Sequence, residues 1–402
     1  MQHGNEDGAR RATGRGLSRI ATLVFAVAAG LSVANVYYAQ PLLGSIAQDF
    51  DISPSVVGLV VTLTQVGYAL GLIFLVPLGD LVDRRRLIVG QCILSVLALV
   101  AVATARNETI LFASLAAMGV LAVVVQILVA FAATLATAEE RGRAVGVVTS
   151  GVVIGILAAR VIAGLLADLG GWRAVYLTSA ILTAVMVGLL IRVLPRQLSP
   201  GGTESYAATL RSIPVLFLSD RILLVRGLLA LLIFASFSTF WTALVLPLGA
   251  PPFSYSHTKI GVFGLVGMAG AIAAAGAGRL ADRGFGQWTT GVSLAILLAS
   301  WALIAMLPVS LLFLLAGIVL LDLAVQAVHV TNQSILFHRH PEASSRLVGG
   351  YMVFYSIGSA IGAIASTIAY ARAGWSGVST LGAGFSAVAL LVWGTSLRQT
   401  SR

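Results

Sequence analysis

The sequence predicts an all-α membrane protein, with twelve transmembrane helices in two six-helix, pseudo-symmetric lobes. Three observations carry that prediction. First, 58% of the 402 residues are hydrophobic and only 10% are charged. A soluble chain of this size cannot hide so much apolar surface, so the bilayer must be most of its solvent. Second, apolar runs of about 20 residues, the length that crosses a hydrocarbon core, fit the chain twelve times. Third, one pattern occurs twice: Gly79, Leu81, Asp83 and Arg84 return about 200 residues later as Gly278, Leu280, Asp282 and Arg283, and Gly171-Trp172 is echoed by Gly374-Trp375.

The spans, numbered 1 to 12, are expected near 20–43, 55–78, 87–105, 109–137, 144–167, 173–194, 222–248, 259–277, 288–308, 310–336, 347–371 and 377–397. An even count puts both termini on one side. Loops on that side hold Arg84, Arg85, Arg86, Arg141, Arg143, Arg279, Arg283, Arg339 and Arg346, together with the central-loop residues Arg192, Arg196, Arg211, Arg221 and Arg226. The opposite loops hold Arg106, Arg173, Lys259 and Arg372. The bias predicts cytoplasmic termini and a multi-pass protein of the plasma (cytoplasmic, inner) membrane.

The expected organisation is a cytoplasmic tail at 1–19, a lobe at 20–194, a linker at 195–221, a second lobe at 222–397 and a tail at 398–402. The linker contains Pro200-Gly201-Gly202, a poor helix former, and then Tyr206 to Phe217, which reads as a short surface helix. Arg10, Arg11, Arg15 and Arg19 precede a full-length apolar run without an evident cleavage site, so the first helix is expected to be retained. The net charge of +10 is dispersed through short loops, which argues against a nucleic-acid surface. Cys92 is the sole cysteine, so an intrachain disulfide is excluded.

Glycine pairs four apart mark span 2 (Gly67, Gly71), span 5 (Gly151, Gly155) and span 11 (Gly358, Gly362), while span 8 carries Gly264, Gly267 and Gly270. Small residues on one face let helix backbones approach closely in lipid. Spans 2, 5, 8 and 11 are equivalent in a threefold pattern, so the glycines predict the helices that rock against each other between the lobes.

The segment Gly79-Asp80-Leu81-Val82-Asp83-Arg84-Arg85-Arg86, between spans 2 and 3, resembles the loop signature of the major facilitator superfamily. Gly278-Arg279-Leu280-Ala281-Asp282-Arg283-Gly284, between spans 8 and 9, is similar to its second copy. The resemblance covers the whole chain, and the overall look is similar to the bacterial twelve-helix drug:proton antiporter branch. It implies a secondary active transporter in which Gly79, Asp83, Arg84, Gly278, Asp282 and Arg283 form a cytoplasmic gate that latches the lobes. The two aspartates would face the starts of spans 11 and 5, where the helix dipole favours an anion. The glycines would allow tight helix exits. Three departures stand out. Arg85-Arg86 replaces the family's usual Gly-Arg. Gln126 in span 4 follows Val123 where the family has an arginine. Gly155 is followed by Ile156 without the family's proline.

Ionisable residues deep in a span are costly and default to function. Arg160 in span 5 is 17 residues from Arg143, and Asp322 in span 10 is 16 from His338. At about 1.5 Å per residue both lie roughly 25 Å from the terminus side. Opposite charges at one depth in opposite lobes suggest a pair made or broken as the lobes rock. Burial disfavours an ionised carboxylate and a nearby guanidinium favours it, so Asp322 is the candidate proton site. Arg160 is a candidate for binding an anionic substrate. A static ion pair, or an arginine reaching for the surface, is the structural alternative.

Gln326, His329 and Gln333 share one face of span 10 with Asp322, and His329 is a second proton-coupling candidate because histidine titrates near neutral pH. Asn35 and Tyr38 in span 1, Gln126 in span 4 and Trp241 in span 7 complete the expected substrate cavity, although a single buried amide more often serves a helix–helix hydrogen bond. The leading expectation is proton-coupled efflux of a small organic molecule by alternating access. A symporter importing a small, anionic metabolite is the alternative, and a polytopic membrane enzyme a distant one. Against an enzyme, no metal-ligand spacing, nucleophile–base motif or phosphate loop is apparent. The expected partners are the substrate, protons and the lipid bilayer, with no cofactor, no metal and no nucleic acid, and a monomer as the working unit.

Overall fold

The computed structural model of the chain describes residues 18–137, 140–195, 206–339 and 344–400. Nine helices in it are long and apolar enough to cross a membrane, and two of these, Arg141–Val193 and Leu347–Leu397, are long enough to cross twice. Each double helix bends at a glycine. Gly171 takes φ 77° and Gly374 takes φ 59°, a region glycine enters without a Cβ clash. These corners separate span 5 from span 6 and span 11 from span 12, and they explain the repeated Gly-Trp. Trp172 Nε1 donates to Asp49 Oδ2 at 3.0 Å and Trp375 Nε1 donates to the Ile304 carbonyl at 2.8 Å, so each tryptophan ties its corner to its own lobe. The 17-residue helix His257–Ala273 supplies span 8, and the twelve expected spans are accounted for.

Several helix starts follow from capping residues in the sequence. Ser18, Asp83, Asn107, Asp220 and Ser256 each accept from a backbone N–H of the first turn that follows, satisfying donors the helix itself cannot. Span 1 is not continuous as expected. The helix Arg19–Tyr37 gives way to a 3-10 turn, Gln40–Leu42, before resuming at Leu43–Phe50. Pro41 lacks the N–H that an unbroken α-helix would use there. Span 4 breaks similarly, into Glu108–Ala122 and Val124–Leu135. The expected linker helix is present as Tyr206–Ser219, and Pro200-Gly201-Gly202 lies outside the described residues.

The glycine pairs correct one expectation. The pairs in spans 2, 5 and 11 stitch each lobe internally, whereas Gly264 in span 8 does lie against Arg160 of the other lobe. A Cβ at Gly67 or Gly71 would overlap Ala116 or Val120 of span 4, and one at Gly151 or Gly155 would overlap Ala26 or Gly30 of span 1. In the second lobe, Gly358 and Gly362 lie against Leu231 and Ala235 of span 7, and Gly270 lies against Val319 of span 10. Spacing of small residues announces a close approach but does not name the partner. Spans 2, 5, 8 and 11 do meet across the lobes, through other faces: 5 against 8 and 2 against 11. There Gly164 abuts the His257 backbone, Gly261 abuts the Arg160 backbone, and Gly58 abuts Ala363 and Thr367.

These contacts concentrate on the side away from the termini. Thr62 Oγ1 donates to the Ala360 carbonyl at 3.0 Å and Thr367 Oγ1 donates to the Ser55 carbonyl at 3.1 Å. The lobes are therefore closed on that far side. Nearer the middle, the hydroxyls of Tyr37 in span 1 and Tyr355 in span 11 meet at 2.5 Å.

Candidate functional site

The break in span 1 sets up the site. It turns the Gln40 side chain inward, where its Oε1 accepts from Arg160 Nε at 2.8 Å. Arg160 is 4% exposed. Its guanidinium lies 4.0 Å from the ring centre of Trp241, 5.3 Å from that of Tyr37 and 5.8 Å from that of Phe237. Aromatic faces attract a cation, so three rings and one amide hold a charge that would otherwise be very costly here. One guanidinium nitrogen, Nη2, is buried without a hydrogen-bond acceptor.

Asp322, on span 10, lies beside the same tryptophan. It is 6% exposed, and its Oδ2 is buried without a donor. Gly267 makes this packing possible: a Cβ there would sit 2.6 Å from Asp322 Oδ2 and 2.8 Å from Trp241 Cζ2. Arg160 and Asp322 are close enough to influence each other electrostatically but form no ion pair. Trp241 borders both the cation of the first lobe and the anion of its own. The void lined by Gln40, Pro41, Arg160, Trp241, Leu244, Val245, Ile260 and Gly261 has a volume of about 10 Å³, at the margin of what one water needs. The charged layer is shut in this conformation.

A model of the Major Facilitator Superfamily matches residues 25–344. The chain belongs to the Major Facilitator Superfamily. It is 46% identical over 377 residues to the "Uncharacterized transporter YgaY" of Escherichia coli O157:H7, covering 94% of this chain and 95% of that one. It is 31% identical over 374 residues to the "Probable transporter SCO4007" of Streptomyces coelicolor, covering 92% and 86%. Its fold is shared by a bacterial homolog of the human lysosomal transporter Spinster in an inward-facing and occupied conformation, with a TM-score of 0.77 at 13% identity over 94% of this chain and 96% of that one. The protein is a multi-pass membrane transporter of this superfamily and not an enzyme.

The superfamily loop between spans 2 and 3 is built from short contacts within its own lobe. Asp83 caps the following helix, accepting from the Arg86 N–H at 3.0 Å. Arg84 Nε donates to the Gly79 carbonyl at 2.8 Å and its Nη1 to Thr134 Oγ1 at 2.7 Å. Gly79 lies in a 3-10 turn, Pro77–Asp80, without a positive φ, so the expected tight exit does not depend on it. In the second copy Gly278 lies in the helical turn Ala277–Leu280, and Gly284 is the residue that takes φ 89°. Arg283 is exposed, and the Asp282 side chain lies outside what is described.

The other expected cavity residues divide. Trp241 sits at the charged layer. Gln126 Nε2 donates to the Tyr68 hydroxyl at 3.2 Å and lines a cavity of about 380 Å³ on the terminus side, with Gly79, Arg84 and Arg141. Asn35 Oδ1 accepts from Ser179 Oγ at 2.7 Å, and Tyr38 packs edge-on against Tyr176, both inside the first lobe. Gln326 and Gln333 are half-buried. His329 Nδ1 lies 3.0 Å from the Tyr351 hydroxyl, and its ring stands edge-on to Phe234.

One buried charge escaped the sequence reading. Arg226, counted there with the central-loop arginines, is 2% exposed inside span 7. Its Nη1 donates to Thr290 Oγ1 at 3.0 Å and Asn332 Oδ1 at 3.1 Å. Its place five residues inside the predicted span 7 was the available signal.

Proposed function

We propose that this protein is a proton-coupled secondary transporter that exports a small organic molecule by alternating access, with Asp322 as the proton site. One observation supports this above the others. Two buried opposite charges, one per lobe, border a single tryptophan, and each leaves a polar atom without a partner. A purely structural pair would be expected to close into contact, because a buried charge is tolerated best when paired and hydrogen-bonded. A pair held just apart is poised to change its separation as the lobes rock, and separation decides which protonation state of the carboxylate is favoured.

In this reading the termini and the superfamily loops face the cytoplasm, and the far-side closure shuts the transporter to the outside. The loops, with Asp83 and Asp282, engage the opposite lobe only when the cytoplasmic side closes, which is consistent with Asp83 capping its own helix here. The lobes span 20–194 and 222–397, joined by the linker, and a monomer is the working unit in the inner membrane. Arg160 Nη2 favours a second reading, in which the substrate is a small anion carried in with protons.

The test uses everted vesicles energised by a pH gradient. Compounds picked by a growth screen of overexpressing and deletion strains are added, and proton release is followed. The expected result is substrate-dependent proton flux that Asp322→Asn abolishes. Unchanged coupling in Asp322→Asn would falsify the proton role, and the sign of substrate movement separates export from import.

A further inference from the structure

Among the described residues, the far-side closure contains one charged cross-lobe contact, at residues the sequence reading did not single out. Asp168 is one residue beyond the expected end of span 5, and His257 begins span 8. Asp168 Oδ1 accepts from the His257 backbone N–H at 3.1 Å and from its Nδ1 at 2.8 Å, while Oδ2 accepts from the Thr258 N–H at 2.8 Å. The other ring nitrogen, Nε2, lies 2.6 Å from Ser45 Oγ, in the short helix that follows span 1. With Nδ1–H given to the carboxylate, Nε2 is left to accept from the serine. One turn away, Gly164 lets the span 5 backbone touch the His257 carbonyl, so the two helices meet without an intervening side chain.

We propose that Asp168 is the far-side gate residue of the transport cycle: its carboxylate, on one lobe, holds the first turn of span 8 on the other, and outward opening requires that it let go. An ordinary helix start is capped by its own chain, and Ser256 already accepts from the Lys259 N–H. Asp168 takes the N–H groups of His257 and Thr258, and it brings them from the opposite lobe. Three charge-assisted hydrogen bonds are concentrated in one residue, and all three cross the boundary that alternating access must open. The 2–11 contact, its counterpart in the duplication, closes with hydroxyl-to-carbonyl bonds.

Burial works to raise the Asp168 carboxyl, but the bonds from Thr258, His257 and Ser256 outweigh it and hold the group well below the usual carboxylate range. A depressed carboxylate contributes its stabilisation above its unfolded value and loses it only as pH falls through the folded one. The other titratable or charged side chains on the elements it packs against are His257 itself, exposed Lys259 on span 8, and Arg160 two turns down span 5. The contact therefore holds across the ordinary carboxylate range and is released by movement of the lobes, with Asp322 left as the proton site.

The proposal rests on the alternating-access reading, and the experiment separates the two. Spin labels are placed on the far side at Arg106→Cys and Leu312→Cys, and in a second sample on the terminus side at Arg86→Cys and Trp288→Cys, all exposed positions. Both samples carry Cys92→Ala and are measured by pulsed electron resonance in lipid nanodiscs. Asp168→Asn is expected to raise the far-side-open population about 10- to 100-fold, the loss expected for charged hydrogen bonds, and to shorten the terminus-side distance reciprocally. Asp168→Glu, which keeps the charge, should restore part of the closed population. Far-side distances unchanged by Asp168→Asn overturn the gate. A far-side distance that never lengthens, in any variant or at any pH, overturns alternating access as well. Should Asp168→Asn not fold, Ser45→Ala reads the same equilibrium through the His257 ring, with a smaller opening expected.

Discussion

Two buried arginines, one at the lobe boundary and one inside the second lobe, resolve the same physical problem differently. Arg226 finds its partners, Thr290 and Asn332, inside its own lobe, with Nε left without an acceptor. Arg160 is held by Gln40 from its own lobe, by rings from both, and faces an anion from the other while leaving Nη2 unsatisfied. Satisfaction within a lobe costs nothing when the lobes move as rigid bodies. A group completed across the boundary must be remade at every turn of a rocking cycle. The comparison suggests a rule for this fold: contacts within a lobe set stability, and contacts between lobes set function.

The largest expected effect breaks the rule if it fails. Arg160→Ala should reduce transport at least about 100-fold, consistent with the loss of one charged group in a low-dielectric site, while leaving thermal stability in detergent nearly unchanged. Arg226→Leu should do the reverse. Leaving Asn332 without its donor costs about 1–3 kcal/mol for each buried group orphaned, so the variant should melt earlier yet transport within about twofold of wild type per folded molecule, since the bound is set by stability and not by the site. Melting by fluorescence-detected chromatography and transport per folded molecule together separate the two. Transport lost equally in both variants would show that the boundary has no special standing.

The next effect concerns glycine. Gly261 meets the Arg160 backbone across the boundary, whereas Gly155 meets Gly30 within the first lobe. Adding a side chain where backbones touch costs on the order of 1–3 kcal/mol as overpacking. Gly155→Val should spend that cost on folding and lower the yield of intact protein. Gly261→Val should spend it on the closed far side and shift the lobes toward far-side opening, with yield retained. Accessibility of a cysteine at Arg106 to a bulky thiol reagent, in the Cys92→Ala background, reads the difference.

Much of the fold was legible in the sequence because lipid imposes simple rules. Span length and the doubled loop are set by the bilayer and by duplication, and neither depends on knowing partners. The glycine pairs failed as markers of the rocking surface because spacing encodes closeness and not identity. Arg160 and Asp322 stood out because a charge in mid-span is rare. Trp241 was expected at the cavity, but nothing in an aromatic run tied it to those two charges. Arg226 was missed because it lies near a cluster of loop arginines, and Asp168 because a carboxylate at a span end looks solvated. Both errors have one source: at the ends of spans, composition no longer distinguishes buried charge from loop charge.

The smallest effect tests the rule at the level of one hydrogen bond. Tyr37 and Tyr355 join hydroxyls across the lobes, and Ser179 donates to Asn35 within one. Each bond should contribute about 0.5–1.5 kcal/mol net. In Tyr355→Phe that amount should appear as a shift in the lobe equilibrium of about 2- to 12-fold, by the usual conversion of free energy to population. In Ser179→Ala the same amount should appear as lower melting temperature, with the equilibrium between lobe states unmoved. Spin-label distances across the far side read the first, and thermal melting reads the second. Because each is one buried hydroxyl bond with a net contribution in the same range, the difference in where the energy goes reads whether the bond crosses the boundary.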